Sequence, residues 1–579
     1  MLMQTQQISL SVDAGQSSSA GRKPENQDFH GAMVPDGQAL VHKGIAFALA
    51  DGISSSPVAR VAAETAVKSF LADYYCTSEA WSVKTAASRV ISATNSWLYS
   101  QTAQAGSRDR GHVCTFSALV LKGRRAHLFH AGDSRIWRLS GQSLEQLTED
   151  HRVRVSEAES YLGRALGLGQ SVEIDYLAVD LHQGDLFVLT TDGVHEFLPP
   201  KRIAAEIAVS EDLDATADRL VDLALEAGST DNLTIQIVRV THLPDAAASD
   251  LLGGEETLPP APLPRVPGYF EGFRVLRGLH ASSRSHIYLA EDETSAGLAA
   301  LKFPSMDLRG EEDYLRRFAM EEWIARRIAS PHVLKAADYP EGRQTLFVAT
   351  EYIEGQTLRQ WMHDNPHPDL ETVRGLLEQI AKGLQAFHRK EMVHQDLRPE
   401  NIMIDKNGTV KIIDFGSVRI AGVMEAAPAL DKAEILGTHQ YTAPEVFLGY
   451  LGTERSDLFS LGVIAYEMLT GRLPYGAAVA RATSEKAQAA LRYRSASAVT
   501  ERVPDWVDGA LCRAVQPVPG KRYEALSAFL EDLRRPNPDF ASGGFVPLVE
   551  RDPVRFWQVV SAGFAVLCAA LFIQLFGSP

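Results

Sequence analysis

Two groups of acidic motifs occupy different halves of this 579-residue chain without overlapping, and a proline-rich stretch separates them. The first group is Glu25-Asn26-Gln27-Asp28, Asp51-Gly52, Gly132-Asp133-Ser134-Arg135, Asp192-Gly193 and Asp231-Asn232. The second is His394-Gln395-Asp396-Leu397-Arg398-Pro399-Glu400-Asn401, Asp414-Phe415-Gly416 and Ala443-Pro444-Glu445. Carboxylates scattered over some two hundred residues can act on one substrate only if the fold brings each group together by itself. The chain is also too long for a single hydrophobic core, which stops growing at roughly 250–300 residues. Gly253-Gly254 followed by Pro259, Pro260, Pro262, Pro264 and Pro267 reads as a semi-extended linker. The expected organisation is therefore a first domain over 1–243, a linker over 244–267 and a second domain over 268–535.

A formal charge of -16 excludes generic nucleic-acid binding, which requires a basic footprint. Four cysteines without CxxC spacing point away from zinc and disulfides and toward a reducing compartment. Residues 1–20 contain no apolar core of a signal peptide. A connector over 536–555 leads into Phe556–Phe576, which is almost continuously apolar. As a helix rising ~1.5 Å per residue, that run is long enough to cross a hydrocarbon core of ~30 Å. With Arg551 and Arg555 just before it, the expectation is a single-pass tail anchor over 556–576, with the preceding domains in the cytoplasm.

In the first domain, short strands end at acidic residues: Gly44–Ala50 before Asp51, and Leu186–Thr190 before Asp192. Thr115–Leu121, Arg124–His130 and Arg135–Leu139 read as a meander. Ser56-Pro57 predicts the start of a helix reaching about Tyr74. Alternating strands and amphipathic helices predict an α/β sandwich. The second domain begins strand-rich and turns helical, as in Leu370–Arg389 and Leu458–Leu469.

The second group of motifs, with Ala299-Ala300-Leu301-Lys302 and Arg317-Phe318-Ala319-Met320-Glu321 before it, resembles the eukaryotic-type Ser/Thr protein kinase family. That resemblance implies a bilobal α+β fold that transfers phosphate from Mg2+–ATP to protein Ser or Thr. Lys302 would pair with the phosphates and Glu321 would orient it. Asp396 would align the substrate hydroxyl, with Arg398 beside it. Asn401 and Asp414 would hold magnesium, and Leu279 and Ile287 would border the nucleotide. Asp457–Gly462 looks like the helix under the catalytic loop, and Arg522 like the partner of Glu445.

Three departures stand out. The phosphate loop over Leu279–Ile287 reads LHASSRSHI, so its glycine positions fall on His280, Ser282 and Ser285. Arg398 replaces a lysine, keeping charge but not shape. Gln395 replaces the arginine that normally receives an activation-loop phosphate, and no Ser, Thr or Tyr lies between Ser417 and Thr438. The loop is expected to order without phosphorylation.

The first group of motifs, with Thr230-Asp231-Asn232-Leu233-Thr234, resembles the metal-dependent protein phosphatases of the PP2C family. The resemblance implies two β-sheets flanked by helices and a centre of two Mn2+ or Mg2+ ions that hydrolyses phosphoserine and phosphothreonine in proteins. Asp51 would bridge the ions, the Gly52 carbonyl would bind one, and Asp192 and Asp231 would complete the pair. Asp28 would orient metal-bound water, Asp133 would serve an accessory ion, and Arg22 would grip the phosphate. Arg22 stands four residues before Asn26 where three is usual, and Ile53-Ser54-Ser55-Ser56 offers no evident general acid.

Together these readings predict a membrane-anchored enzyme with opposed activities on protein Ser/Thr, its partners being protein substrates, ATP and the membrane. The alternative is an active phosphatase regulated by a catalytically weak or inactive ATP-binding kinase-like domain. A third class, a non-catalytic membrane scaffold, requires both centres to be vestigial.

Overall fold

The computed structural model describes residues 9–105, 110–154, 160–244, 258–339, 343–426 and 440–537, with the single positions Phe540, Trp557 and Ser561. It divides into two compact units, one of 1–353, 384–394 and 413–436, the other of 354–383, 395–412 and 437–579.

In the first unit two five-stranded sheets face each other. One runs Ser11–Ser19, Leu233–His242, Leu186–Thr190, Arg135–Ser140, Ser143–Gln146; the other runs Asp175–Asp180, Arg125–Ala131, Phe116–Lys122, Ile45–Asp51, Asp28–Met33. The two-residue period of a strand explains the packing. Ile45, Phe47 and Leu49 fill the space between the sheets with Leu119, Phe187 and Val238. Ala46, Ala48 and Ala50 point the other way, where their small side chains let the helices Ala59–Cys76 and Val83–Ala105 pack close. Helices Pro200–Ala208 and Leu213–Glu226 cover the other sheet. The expected sandwich is present, and the helix expected from Ser56 starts at Ala59.

The same unit contains a five-stranded antiparallel sheet, Gly268–Phe270, Phe273–Ala281, Ser285–Asp292, Leu298–Pro304 and Val348–Glu351, with the helix Glu312–Arg327. The end of the proline stretch packs on this sheet's core: Ala261 is buried there, its N–H donates to Leu346 O (3.1 Å), and Leu346 N–H, just ahead of the strand Val348–Glu351, donates to Pro259 O (2.8 Å).

The second unit is mainly helical. Its Glu454–Thr470 helix is buried along most of its length, opens with a Thr453/Ser456 capping box and closes at Gly471. A small sheet of Gly355–Thr357, Ile402–Asp405 and Val410–Ile412 carries the loops that matter for chemistry. The run Phe556–Phe576 lies outside the described residues apart from Trp557 and Ser561. Among the described helices none is long and apolar enough to cross a membrane.

Candidate active sites

Strand ends deliver the first cluster. Asp28 opens one edge strand and Asp51 closes its neighbour, so the antiparallel register sets them directly opposite each other. Asp192 follows the strand Leu186–Thr190, and Asp231 precedes Leu233–His242, which pairs with it. Gly193 shows how tightly these two loops meet, because a Cβ there would lie 2.0 Å from the Asn232 carbonyl oxygen. Asn232 fastens the remaining segment: its Nδ2 donates to Ala20 O and Glu25 O (both 3.0 Å), and its Oδ1 accepts from Gln27 N (3.0 Å). Gly52 N–H donates to Gln27 O (3.2 Å).

The electrostatics are those of crowded anions. Burial, opposed by hydroxyl donors and assisted by Asp231, pushes Asp28 up to about 6. Burial with Asp133 and Asp231 pushes Asp192 up to about 7. Burial with Asp28, Asp192 and Asp133 holds Asp51 well above the carboxylate range. The Thr191 and Thr234 hydroxyls donate to Asp28 Oδ2 (2.9 and 2.8 Å), leaving its buried Oδ1 without a protein partner. Asp192 Oδ1 is likewise buried and unpartnered. Among the described residues no three Asp, Glu, His or Cys side chains are already gathered as ligands of one ion. The fit to hard divalent cations rests instead on the donors: carboxylate oxygens only, two of them orphaned, in mutual repulsion that positive charge relieves.

Two cations of the chain itself stand in this cluster, and neither is evident from sequence. Arg152 Nε donates to Asp133 (2.6 Å), one terminal nitrogen to Asp192 (3.0 Å) and the other to Glu196 (2.7 Å). Lys23 pairs with Asp231 and donates to Ser54 Oγ (2.7 Å). Arg22 is exposed. No spacing rule links Arg152 to partners 19, 40 and 44 residues away; only the fold does.

The second site is built in two places. In the first unit, Lys302 Nζ donates to both Glu321 oxygens (2.8 and 2.6 Å) and lies 3.8 Å from Asp414. Burial works against the Lys302 charge, but Glu321 and Asp414 outweigh it and hold the ammonium above its ordinary range. Ile287 pairs in register with Lys302, and Leu279 lies on the adjoining strand Phe273–Ala281. The hairpin between them is closed by Ser282, whose Oγ accepts from Ser285 N (3.1 Å) and Arg284 N (3.3 Å). Arg284, at its tip, is near enough to bear on the charge of Asp414. Phe415 is buried edge-on against Phe387, ring centres 5.5 Å apart.

In the second unit, Asn401 Nδ2 donates to Asp396 O (2.9 Å) and Oδ2 (3.1 Å), tying the two residues into one loop. Arg398 Nε donates to Glu400 (2.8 Å). Asp457, on the Glu454–Thr470 helix, accepts from Gln395 N (2.9 Å). Arg522 meets Glu445 through two nitrogens (2.8 and 2.6 Å).

Residues 277–533 match the family model described as protein kinase domain, and residues 15–232 match the one described as protein phosphatase 2C. Over 270 residues the chain is 29% identical to the serine/threonine-protein kinase PrkC of Bacillus subtilis, covering 47% of this chain and 41% of that protein. Over 249 residues it is 33% identical to PknL of Mycobacterium tuberculosis, covering 43% of this chain and 61% of that protein. The chain thus spans less than two thirds of these relatives. Among solved structures, the Mycobacterium tuberculosis phosphatase PstP/Ppp aligns with TM-score 0.35 at 22% identity, over 40% of this chain and 99% of that one. The PknI kinase domain of the same organism aligns with TM-score 0.37 at 24% identity, over 47% and 99%. The chain carries a protein phosphatase 2C domain over 15–232 followed by a protein kinase domain over 277–533.

Proposed function

We propose that this chain is a membrane-anchored signalling enzyme that phosphorylates protein Ser/Thr with Mg2+–ATP and hydrolyses protein phosphoserine and phosphothreonine. The observation that carries the reading is that each half keeps its own acidic centre: the orphaned cluster around Asp28, Asp51 and Asp192 in one, the Lys302–Glu321–Asp414 group in the other.

For the hydrolase, Mn2+ or Mg2+ held by Asp51, the Gly52 carbonyl, Asp192 and Asp231, with Asp133 at a further position, would supply Lewis acidity and neutralise phosphate charge. Asp28, clamped through one oxygen by Thr191 and Thr234, keeps the other free to receive a proton. Arg22 and Lys23 meet the phosphoryl oxygens. For the transferase, Lys302 steadies the ATP phosphates while Glu321 holds it extended. Asn401 and Asp414 would hold magnesium, and Leu279 and Ile287 border the nucleotide. Asp396 aligns the incoming hydroxyl and accepts its proton, with the Arg398 guanidinium nearby. Phe556–Phe576 serves as the anchor and leaves both catalytic domains in the cytoplasm, a reading supported by its length, its apolar character and the flanking arginines.

The test is a pair of substitutions in the full chain. Asp192→Asn should lose Mn2+-stimulated phosphoester hydrolysis and keep ATP-dependent labelling, and Asp396→Asn should do the reverse. If neither changes either readout, the two-enzyme reading fails. Carbonate extraction of membranes, with and without residues 556–576, tests the anchor. The second reading, a phosphatase regulated by a weak kinase-like domain, is favoured by the glycine-free hairpin closed by Ser282. Absence of ATP-dependent autophosphorylation in the Asp192→Asn chain would select it.

A further inference from the structure

The phosphatase domain touches the kinase domain at the three segments that set a kinase's activity, and all these contacts fall inside the first compact unit. On the helix Glu312–Arg327, which bears Glu321, the Arg327 guanidinium donates through two nitrogens to one oxygen of Glu79 (2.6 and 3.0 Å), and Trp323 lies against His42 with ring centres 5.9 Å apart. On the chain leading into the catalytic loop, Trp81 Nε1 donates to Arg389 O (2.9 Å). The Glu391 carboxylate there accepts from Ser82 N (2.7 Å) and Thr85 Oγ1 (2.6 Å). On Ala421–Ala426, just beyond Asp414-Phe415-Gly416, Lys122 Nζ donates to Gly422 O (2.7 Å) and lies 3.4 Å from Glu425, which accepts from Val83 N (2.8 Å).

Their chemistry is complementary and their weights differ. Val83–Ala105 has no acidic residue in its own first turn, and kinase carboxylates Glu391 and Glu425 take up the donors at its start. The Glu79–Arg327 pair is about one-third exposed on both sides and contributes little by itself. Lys122 is fully buried and matched by the Gly422 carbonyl and the Glu425 carboxylate, so removing one partner while the surfaces stay docked leaves the other buried and uncompensated. Gly422 admits this approach only because it lacks a side chain. A Cβ there would lie 2.6, 2.7 and 2.9 Å from the carbonyl oxygens of Trp81, Glu79 and Ala80.

We propose that the phosphatase domain is the kinase's built-in activator, with Glu79, Trp81 and Lys122 as positioning residues that hold the Glu321 helix and the segment after Asp414 in working order. This rests on reading residues 268–535 as an active kinase. It gives the docked surface the part that a phosphorylated activation loop plays elsewhere, a device this chain lacks at Gln395 and between Ser417 and Thr438. The docked arrangement has the active character, with Lys302–Glu321 closed and Phe415 buried. The docking surface is also remote from the phosphatase centre. Lys122 lies beside the Ile45 end of the sheet, and Asp51 is at the other end of that strand, ~20 Å away.

The test uses the full chain with Lys122→Met and, separately, Gly422→Val. Expected are a tenfold or greater loss of kinase kcat, faster amide exchange over Glu312–Arg327, and Mn2+-stimulated hydrolysis of p-nitrophenyl phosphate within twofold of the parent. Glu79→Arg and Arg327→Glu should each lower kcat severalfold, and the double exchange should restore it. Unchanged amide exchange over both Glu312–Arg327 and Ala421–Ala426 would overturn the proposal, as would a kinase rate that stays level or rises while exchange increases. If the parent chain shows no kinase activity, the functional reading fails, and the exchange comparison still decides whether this surface holds the helix.

Discussion

Asp28 and Asp51 face each other across adjacent antiparallel strands, and their buried carboxyls stand in the midst of three further aspartates, Asp133, Asp192 and Asp231. Such a cluster is held together at the expense of stability unless protons or cations share it. With the folded values of Asp28 at about 6 and Asp192 at about 7, the folded state binds more protons than the unfolded chain between roughly pH 4 and 7. Stability of the metal-free chain from this source is therefore greatest below that window and is lost as pH rises through it. The phosphatase transition should move up when metal-free protein is taken from pH 8 to pH 6.5, and Mn2+ should abolish that dependence. Asp51→Asn should raise the metal-free transition at pH 7.5 by about 2–4 °C, worth on the order of 1 kcal/mol, while eliminating hydrolysis. Differential scanning calorimetry with and without Mn2+ checks both.

Below pH 6.5 the sign reverses. Burial holds His42 and His130 down to about 4 and His127 and His195 down to about 3. These imidazoles are neutral in the fold and protonated in the unfolded chain throughout the interval from about 6.5 to 4, so stability falls as pH drops. The prediction is a maximum near pH 6.5 in the metal-free phosphatase transition. His127→Phe should flatten the acid limb, and a limb of unchanged slope would count against this assignment.

Arg522 uses all five of its N–H donors: two on Glu445, and one each on Gln516 O, Arg455 O and Pro517 O. A buried fork so completely satisfied is costly to break from one side, by about 3–5 kcal/mol. Arg522→Ala should remove the kinase domain's unfolding transition from the physiological range. Arg522→Lys should recover only part of the loss, because an ammonium cannot span both oxygens and three carbonyls. Chemical denaturation followed by tryptophan fluorescence reads the difference.

What the sequence made legible follows from where the information is local. Strand-terminal aspartates, Lys302 and the Asp396–Asn401 loop belong to short motifs, and the alternation of Ile45–Ala50 dictates both faces of a sheet. Arg152, Lys23 and the docking residues carry no such mark. Lys122 ends an ordinary strand as an ordinary surface charge would, and only the packing of Gly422 against Ala80 makes it a buried one. Ala261 is similar: five prolines read as linker, yet the main-chain bonds to Leu346 draw the end of the stretch against the core of the sheet. Period and motif report on neighbours along the chain, and these contacts join residues far apart in it.

Ser282 and Arg284 give the glycine-free hairpin a definite expectation. No residue from Leu279 to Ser285 has positive φ, so the turn needs no glycine and is instead closed by the Ser282 hydroxyl. Restoring glycine by Ser282→Gly should loosen the turn and raise KM for ATP about two- to fivefold rather than improve it. Arg284→Ala should raise the same KM by a similar factor with little change in kcat, since its charge lies near the Asp414 site without belonging to the proton-transfer loop. Steady-state kinetics across ATP concentrations separates the two parameters.

Gln395 permits the last prediction. An arginine at that position would serve as receptor for a loop phosphate, and here a neutral side chain stands instead on a backbone of φ +64°, its N–H held by buried Asp457. The segment from Ser417 to Thr438 offers no hydroxyl between its ends to carry a phosphate. Kinase activity should therefore be insensitive to complete prior dephosphorylation by an unrelated phosphatase, with kcat unchanged within twofold. Asp192→Asn, which removes the chain's own hydrolase, should let phosphate accumulate elsewhere without raising kcat. A marked fall in kcat after dephosphorylation, restored by preincubation with ATP, would show that phosphate elsewhere in the chain is required. The electrostatic switch would then have moved rather than vanished.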